Sequence, residues 1–312
     1  MAGRRVNKEQ VLHSARLTMD FRAPYSTSLS KRRQPSWLAE QPKKDKPFMT
    51  THAPQFSLEQ IGTGASRFPS GVAIPTNSDA AVDPYIRTRM SKHVQVECIQ
   101  FWPQEKGTYP GIVLLHEWWG LNSQVKDVGA RLACEGYGVI IPNLYGRLGG
   151  MVTANADVAE ALMGKCVESD LMQDINSCCE FLNTREYIKR NIHGVIGFGM
   201  GGSLALRFAC QRKRLRAAVV FYGKVGNSRP LLKDLYCPVL YHQAGKDTWA
   251  GFEDVEALNS AVSLGKRVEI RTYPNASHAF MNETRPAGYD QPGAIEAWDQ
   301  SMSFFKNCFL GL

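Results

Sequence analysis

No run of apolar residues in this 312-residue chain approaches the roughly 18 needed to cross a bilayer. The longest candidate, GIVLLHEWWG, is interrupted by His116 and Glu117. The N-terminus also lacks the apolar core of a secretory signal. These absences predict a soluble protein that makes no use of a membrane, and we expect it in the cytoplasm as a monomer or a small homo-oligomer.

Regularly spaced cysteines are missing as well. The chain has eight cysteines, but none of them forms a C-x-x-C pair. This pattern predicts free thiols in a reducing compartment rather than a disulfide framework. We also expect neither a metal ion nor an organic cofactor.

Acidic residues are scarce near the N-terminus, where residues 1–50 hold eleven Lys/Arg against four Asp/Glu, a net +7 of the total +8. Residues 1–90 contain scattered prolines and no sustained periodicity. We expect a basic extension that is partly disordered or wraps around the rest, with GTGASRFPSGVAIP as a loop. Nucleic-acid binding is not expected, because the basic residues are not part of an aromatic pattern that suggests a base-stacking surface. An organelle transit peptide is the alternative, based on Arg4, Arg5, Arg16 and Arg22.

Residues 91–312 alternate short apolar runs with longer amphipathic stretches, as strands joined by helical crossovers do. The fully apolar runs predict one α/β domain whose central sheet is mostly parallel and is covered by helices on both faces. Helices are predicted to begin near Ser123, Glu168, Met200, Asp254 and Ala294. The predicted strands are HVQVECIQFW, GIVLLH, YGVIIP, HGVIGF, AAVVFY, PVLYHQ and RVEIRTYP.

A glycine-rich turn follows the strand HGVIGF. Residues 193–206 read HGVIGFGMGGSLAL, a strand running through small residues into a helix. Read as the sharp turn G-x-Nuc-x-G, the motif uses Gly197 and Gly201 as flanking glycines, and the nucleophile position falls on Gly199. The same residues also match G-x-G-x-x-G, so a dinucleotide site is the alternative. No acidic residue ends the following strand, and this favours the turn of a hydrolase.

Two further residues follow successive strands. Asp247 lies just beyond PVLYHQ, and His278 lies just beyond RVEIRTYP. Because the carboxyl ends of parallel strands meet at one edge of a sheet, both side chains should lie near the glycine turn. The order nucleophile, acid, base is that of α/β-hydrolases. Glu117 follows a third strand and precedes two tryptophans, where a carboxylate would be poorly solvated and its pKa perturbed.

Taken together, GIVLLHEWWGL, RLACEGYGVIIPNLYGR, GVIGFGMGGSLAL, GKDTWAGFE and YPNASHAFMN make roughly the last 220 residues resemble the dienelactone hydrolase (carboxymethylenebutenolidase) family. The resemblance implies the α/β-hydrolase fold, Asp247 as triad acid and His278 as triad base. It also implies a Glu117 that interacts with the resting thiol, and backbone amides of Trp118 and Met200 as the oxyanion hole. Residues expected at the substrate are Trp119, Tyr145 and Arg285.

The family's cysteine nucleophile is replaced by Gly199, and its substrate-binding arginine four residues after the histidine by Asn282, which leaves Arg285 as the substitute. Covalent catalysis at position 199 is therefore excluded. Three interpretations stay open. The chain hydrolyses a lactone or another carboxylic ester with activated water, it is an inactive pseudo-enzyme that binds a small ligand or a protein, or glycine is a substitution in an active cysteine enzyme.

Overall fold

The computed structural model describes residues 50–71 and 95–311, so most of the predicted basic extension lies outside the described residues. Within them, eight strands form one sheet. They are β1 (Ile61–Pro69), β2 (Gln95–Pro103), β3 (Tyr109–Leu115), β4 (Gly138–Pro142), β5 (Ile188–Phe198), β6 (Ala217–Phe221), β7 (Val239–Ala244) and β8 (Val268–Tyr273).

The sheet is antiparallel at one side and parallel over the rest. Its order is β1-β2-β4-β3-β5-β6-β7-β8, and β2 pairs antiparallel with both β1 and β4. All pairs from β4 through β3 to β8 are parallel. The mostly parallel sheet and all seven predicted strands are thereby confirmed.

The described residues contain six α-helices, of which five lie between strands and the last follows β8. They are α1 (Ser123–Cys134), α2 (Ala156–Gly164), α3 (Glu168–Leu182), α4 (Met200–Ala209), α5 (Phe252–Ser263) and α6 (Gln291–Leu310). The sequence predicted all of them except α2. None of these helices is both long and apolar enough to cross a membrane.

The helices cover the sheet on two sides and bury one apolar cluster under each. Helices α3, α4 and α5 close one cluster, whereas α1 and α6 close the other. Strands β4, β6 and β7 are buried along their whole length, which explains why their sequences contain no polar alternation. The eight cysteines are free thiols and six of them are buried, as expected.

The prediction of a loop around GTGASRFP is wrong, because these residues form most of β1. Nine residues of β1 pair in continuous register with β2. The two glycines that favoured a loop make room for a neighbouring indole. A Cβ atom on Gly62 would lie 2.7 Å from the Trp102 ring, and one on Gly64 would lie 3.3 Å from it. The glycines therefore serve cross-strand packing and not a turn.

Candidate active site

The glycine turn between β5 and α4 is a tight strand-to-helix elbow. Gly199 has φ 52° and ψ −115°, a left-handed conformation that favours glycine. A Cβ on Gly197 would lie 2.1 Å from the Gly201 carbonyl oxygen, and a Cβ on Gly201 would lie 2.3 Å from that of Leu115. The flanking glycines are thus required by close backbone approach, as the elbow interpretation predicts.

Asp247 and His278 meet beside this elbow. The His278 Nδ1 lies 2.8 Å from the Asp247 Oδ2. The other carboxylate oxygen of Asp247 accepts hydrogen bonds from the backbone amides of Trp249, at 2.8 Å, and Ala250, at 3.0 Å. The Asp247 side chain is fully buried, and His278 is one-third exposed. A fully bonded carboxylate fixes Nδ1 as the protonated nitrogen, which leaves the lone pair on Nε2.

Two aromatic rings that the sequence analysis did not single out hold the His278 imidazole. Tyr222 packs edge-on against it with ring centroids 5.0 Å apart, and Trp249 does the same at 5.2 Å. Tyr222 directly follows β6 and has a strained φ of 41°. Its position at a strand end next to the elbow strand is the signal from which it could have been found.

Glu117 is buried at the end of β3, on the other side of Gly199. Burial raises the pKa of its carboxyl, and the neighbouring His278 imidazole partly opposes that shift. Oε2 lies 3.5 Å from the Asn282 amide nitrogen, whereas Oε1 has no hydrogen-bond partner. The Tyr222 hydroxyl also faces this carboxyl, but it does not complete a hydrogen bond with it. A partly unsatisfied, poorly solvated carboxyl beside a histidine is suited to exchange protons.

A buried histidine fixes the backbone that carries Glu117. The Nδ1 of His116 donates to the Glu117 carbonyl at 2.6 Å, and its Nε2 accepts from the Leu144 amide at 3.1 Å. Burial lowers the pKa of His116 to about 4, so the ring is neutral and both bonds are consistent with one tautomer. His116 thereby sets the direction of the loop that follows β3.

The two amides predicted to form an oxyanion hole belong to adjacent backbone segments. Met200 is the first residue of α4, where helix amides have no acceptor within the helix. The first turn of α4 packs onto the end of β3, since a Cβ on Gly201 would lie 2.6 Å from the His116 carbonyl oxygen. Trp118 is two residues further along that segment. The arrangement suits a bound carbonyl oxygen near the start of the helix.

A cavity of about 570 Å³ opens onto these groups. It is lined by residues 117–119, by His278 and Ala279, and by residues 284–288. The Arg285 guanidinium lies 4.3 Å above the Trp119 ring, so the cation is held over an aromatic face at the wall. Trp119 and Arg285 therefore line the cavity beside His278, and their contact with substrate stays a prediction.

Tyr145, also expected to contact substrate, is placed differently and does not line this cavity. Its side chain is fully buried, and its hydroxyl donates to the Trp118 carbonyl at 2.9 Å. The same hydroxyl lies 3.6 Å from the Met200 sulfur. Tyr145 thus holds the Trp118 backbone from behind. The sequence could not distinguish contact with substrate from support of the Trp118 backbone, because both roles require a tyrosine near this loop.

Ser203, four residues after Gly199, does not take the place of the missing nucleophile. Ser203 lies within α4, and its hydroxyl donates to the Gly199 carbonyl at 3.4 Å, as expected for a helix-packed serine. No group of three or more His, Cys, Asp or Glu residues could hold a metal ion within residues 50–71 and 95–311.

Comparison with known proteins points to one family. The model of the dienelactone hydrolase family matches residues 96–309. A protein of Aquifex aeolicus provisionally named a carboxymethylenebutenolidase is 30% identical over 205 residues, which cover 63% of this chain and 87% of that protein. Protein usf of Aquifex pyrophilus is 32% identical over the same shares of both chains.

The fold has a matching solved structure. The crystal structure of a provisionally assigned dienelactone hydrolase from Klebsiella pneumoniae superposes with a TM-score of 0.65 and 24% identity, over 78% of this chain and 99% of that one. At this identity the likeness shows the fold alone. The family match over residues 96–309 shows more, and the chain belongs to the dienelactone hydrolase family of α/β-hydrolases.

Proposed function

We propose that this protein hydrolyses a carboxylic ester or lactone with water as the nucleophile and His278 as the general base. The supporting observation is the position of the imidazole. Asp247 holds the proton on Nδ1, and Nε2 faces the elbow, 3.6 Å from where a Cβ on Gly199 would lie. The space that a nucleophilic side chain would fill is thus next to a basic nitrogen.

The reaction balances with the residues present. Nε2 takes a proton from water while the water oxygen bonds to the carbonyl carbon, and the carbonyl electron pair moves to oxygen. The amides of Met200 and Trp118 are the proposed donors to that oxyanion. Collapse of the tetrahedral intermediate breaks the bond to the alcohol oxygen, which takes the proton back from Nε2. The products are an acid and an alcohol, joined in one molecule when the substrate is a lactone.

The expected rate is modest. In enzymes that have lost a triad member, the oxyanion hole and substrate binding still give about 10³- to 10⁴-fold acceleration over water. The family's step through a covalent acyl intermediate is not open to a glycine. We therefore expect slow but measurable turnover, which depends on His278 and Asp247.

The second candidate is a pseudo-enzyme that binds a small acid, ester or lactone without turnover. The observation in its favour is the cavity wall, where the Arg285 guanidinium is held over the Trp119 ring and offers a cation beside an aromatic surface. Such a wall recognises a ligand whether or not a nucleophile lies beside it.

Hydrolysis of an activated aryl ester and of a small lactone by the natural chain and by His278→Ala separates the two candidates. We expect His278→Ala to lose activity by about 10²-fold or more. Ser203→Ala is the matched control, since it removes a neighbouring hydroxyl that the mechanism does not use. Equal rates for the natural chain and His278→Ala, together with saturable ligand binding, would establish the pseudo-enzyme instead.

A further inference from the structure

A second cavity, of about 560 Å³, lies at the amino ends of the parallel strands, whereas the candidate active site lies at their carboxyl ends. Three of its lining residues immediately precede strands. Arg216 comes immediately before β6, Pro238 immediately before β7, and Arg267 immediately before β8. The proposed catalytic groups follow the carboxyl ends of strands, so the two cavities lie at opposite ends of the strands.

The lining of this second cavity carries charge of one sign. Four cations, Lys213, Arg214, Arg216 and Arg267, contribute to it, and no Asp or Glu does among the described residues that line it. Glu180 reaches Arg214 at 3.9 Å from outside. Arg216 and Arg267 are both exposed, and neither forms an ion pair with an Asp or Glu within residues 50–71 and 95–311.

Among the described residues, the remaining walls add an aromatic side chain and two thiols. Tyr236 is 44% exposed, and the Lys213 ammonium lies 5.7 Å from the centroid of its ring. Cys237 and Cys308 also line the cavity, and burial raises the pKa of the Cys237 thiol to about 12, so it stays neutral. A cavity of this volume takes a small molecule rather than a polymer backbone.

From these contacts we infer that this cavity binds a small ligand carrying two or more phosphate charges, such as a di- or triphosphate. Arginine forks pair with phosphate oxygens in a bidentate manner, which makes phosphate the favoured anion. Tyr236 offers a face for an aromatic or sugar group of an organic phosphate.

A simpler role for the cations exists. Helices α4, α5 and α6 all end at this edge of the sheet, and cations stabilise the carbonyl ends of helices. That role alone requires no affinity for a ligand. The two accounts therefore differ in what an added anion does to the protein.

The test is calorimetric titration of the full chain with tripolyphosphate and with ATP at constant ionic strength. We expect saturable binding, which Arg216→Gln/Arg267→Gln weakens by about tenfold or more, the equivalent of 1.4 kcal/mol. The matched control is Arg67→Gln/Arg271→Gln, which removes the same charge from arginines paired with Glu97 and Glu269. This control should stay within about twofold of the parent.

Additional variants keep the proposal falsifiable if the double variant does not fold. Lys213→Gln changes an exposed side chain and should also weaken both ligands, whereas Tyr236→Ala should weaken ATP more than tripolyphosphate. Absence of binding to the parent, or equal loss in the paired-arginine control, would overturn the proposal and leave only the role at helix ends.

Discussion

The Nε2 atom of His278 lies 3.6 Å from the position that a Cβ atom would take on Gly199, and the Cγ of Glu117 lies 3.9 Å from the same point. Both are ordinary van der Waals distances, so the site has room for a side chain between the histidine and the carboxyl. What opposes a side chain is the backbone, because φ is 52° there.

Gly199→Cys should therefore create a thiol nucleophile at some cost in stability. We expect hydrolysis of an activated ester to rise by about 10²-fold or more, since a thiol next to His278 is activated by a neighbouring base. The left-handed backbone should lower the free energy of unfolding by roughly 1 to 3 kcal/mol. Ester hydrolysis and urea unfolding measure the two effects.

Gly199→Ala is the control for that variant, because it carries the same backbone strain without a thiol. It should lose similar stability and gain no activity. Equal gains in Gly199→Ala and Gly199→Cys would mean that the thiol is not the cause.

The hydrogen bond between Asp247 and His278 should be needed for turnover by the natural chain. In Asp247→Asn an amide faces the imidazole, so the ring no longer has a fixed acceptor for its Nδ1 proton. We expect the ester hydrolysis rate to fall by about 10²- to 10⁴-fold. An unchanged rate in a folded Asp247→Asn protein would contradict the assigned role of the pair.

Three buried histidines should make the protein sensitive to mild acid. Burial lowers the pKa of His116 and of His193 to about 4, and that of His242 to about 3, from 6.5. Below pH 6.5 these histidines take up protons in the unfolded chain but not in the folded chain. Their contribution to the free energy of unfolding is therefore complete above pH 6.5, and it falls as the pH drops toward 4. By linkage, each histidine lowers the free energy of unfolding at pH 5 by about 2 kcal/mol relative to neutral pH.

His193 offers the way to check this, because neither of its ring nitrogens has a hydrogen-bond partner. In His193→Leu the loss of unfolding free energy between pH 7.5 and pH 5 should be smaller than in the parent. Urea unfolding at both pH values measures the slope. An identical slope in the variant would show that this histidine does not carry the effect.

Strand β1 should be part of the stable domain, although the sequence placed it in an extension. It covers β2 through nine residue pairs and buries Phe68 in the core cluster that also contains Phe181. A chain that begins at Ser91 should lose several kcal/mol of unfolding free energy or aggregate through its exposed edge. A chain that begins at Thr50 should unfold like the full protein. Equal stability of the two would restore the boundary at residue 91.

The sequence predicts best where local rules and the fold agree. The elbow glycines, the strand ends that carry Asp247 and His278, and the apolar central strands all follow from spacing and composition. Strand β1 was missed because Gly62 and Gly64 indicate a loop locally, and only the Trp102 indole across the strand pair explains them. Local β-propensity does not include a contact with a residue 38 to 40 positions away in the sequence.

Side-chain direction was the other limit within the candidate site. The sequence pattern predicts substrate contact for both Tyr145 and Trp119. In the structure Tyr145 is buried behind the loop, whereas Trp119 lines the cavity wall. Tyr222 was overlooked because a tyrosine at the end of an apolar strand looks like core. Its role beside His278 depends on a strained backbone that no periodicity reveals.

The central claim is that water, and no side chain, attacks the ester carbonyl. The most direct test is the intact mass of the natural chain quenched during turnover of an activated ester, beside Gly199→Cys treated in the same way. We predict unmodified protein for the natural chain and a single acyl adduct for the cysteine variant. A stoichiometric adduct on the natural chain that disappears as product forms would identify a side-chain nucleophile and contradict the water mechanism.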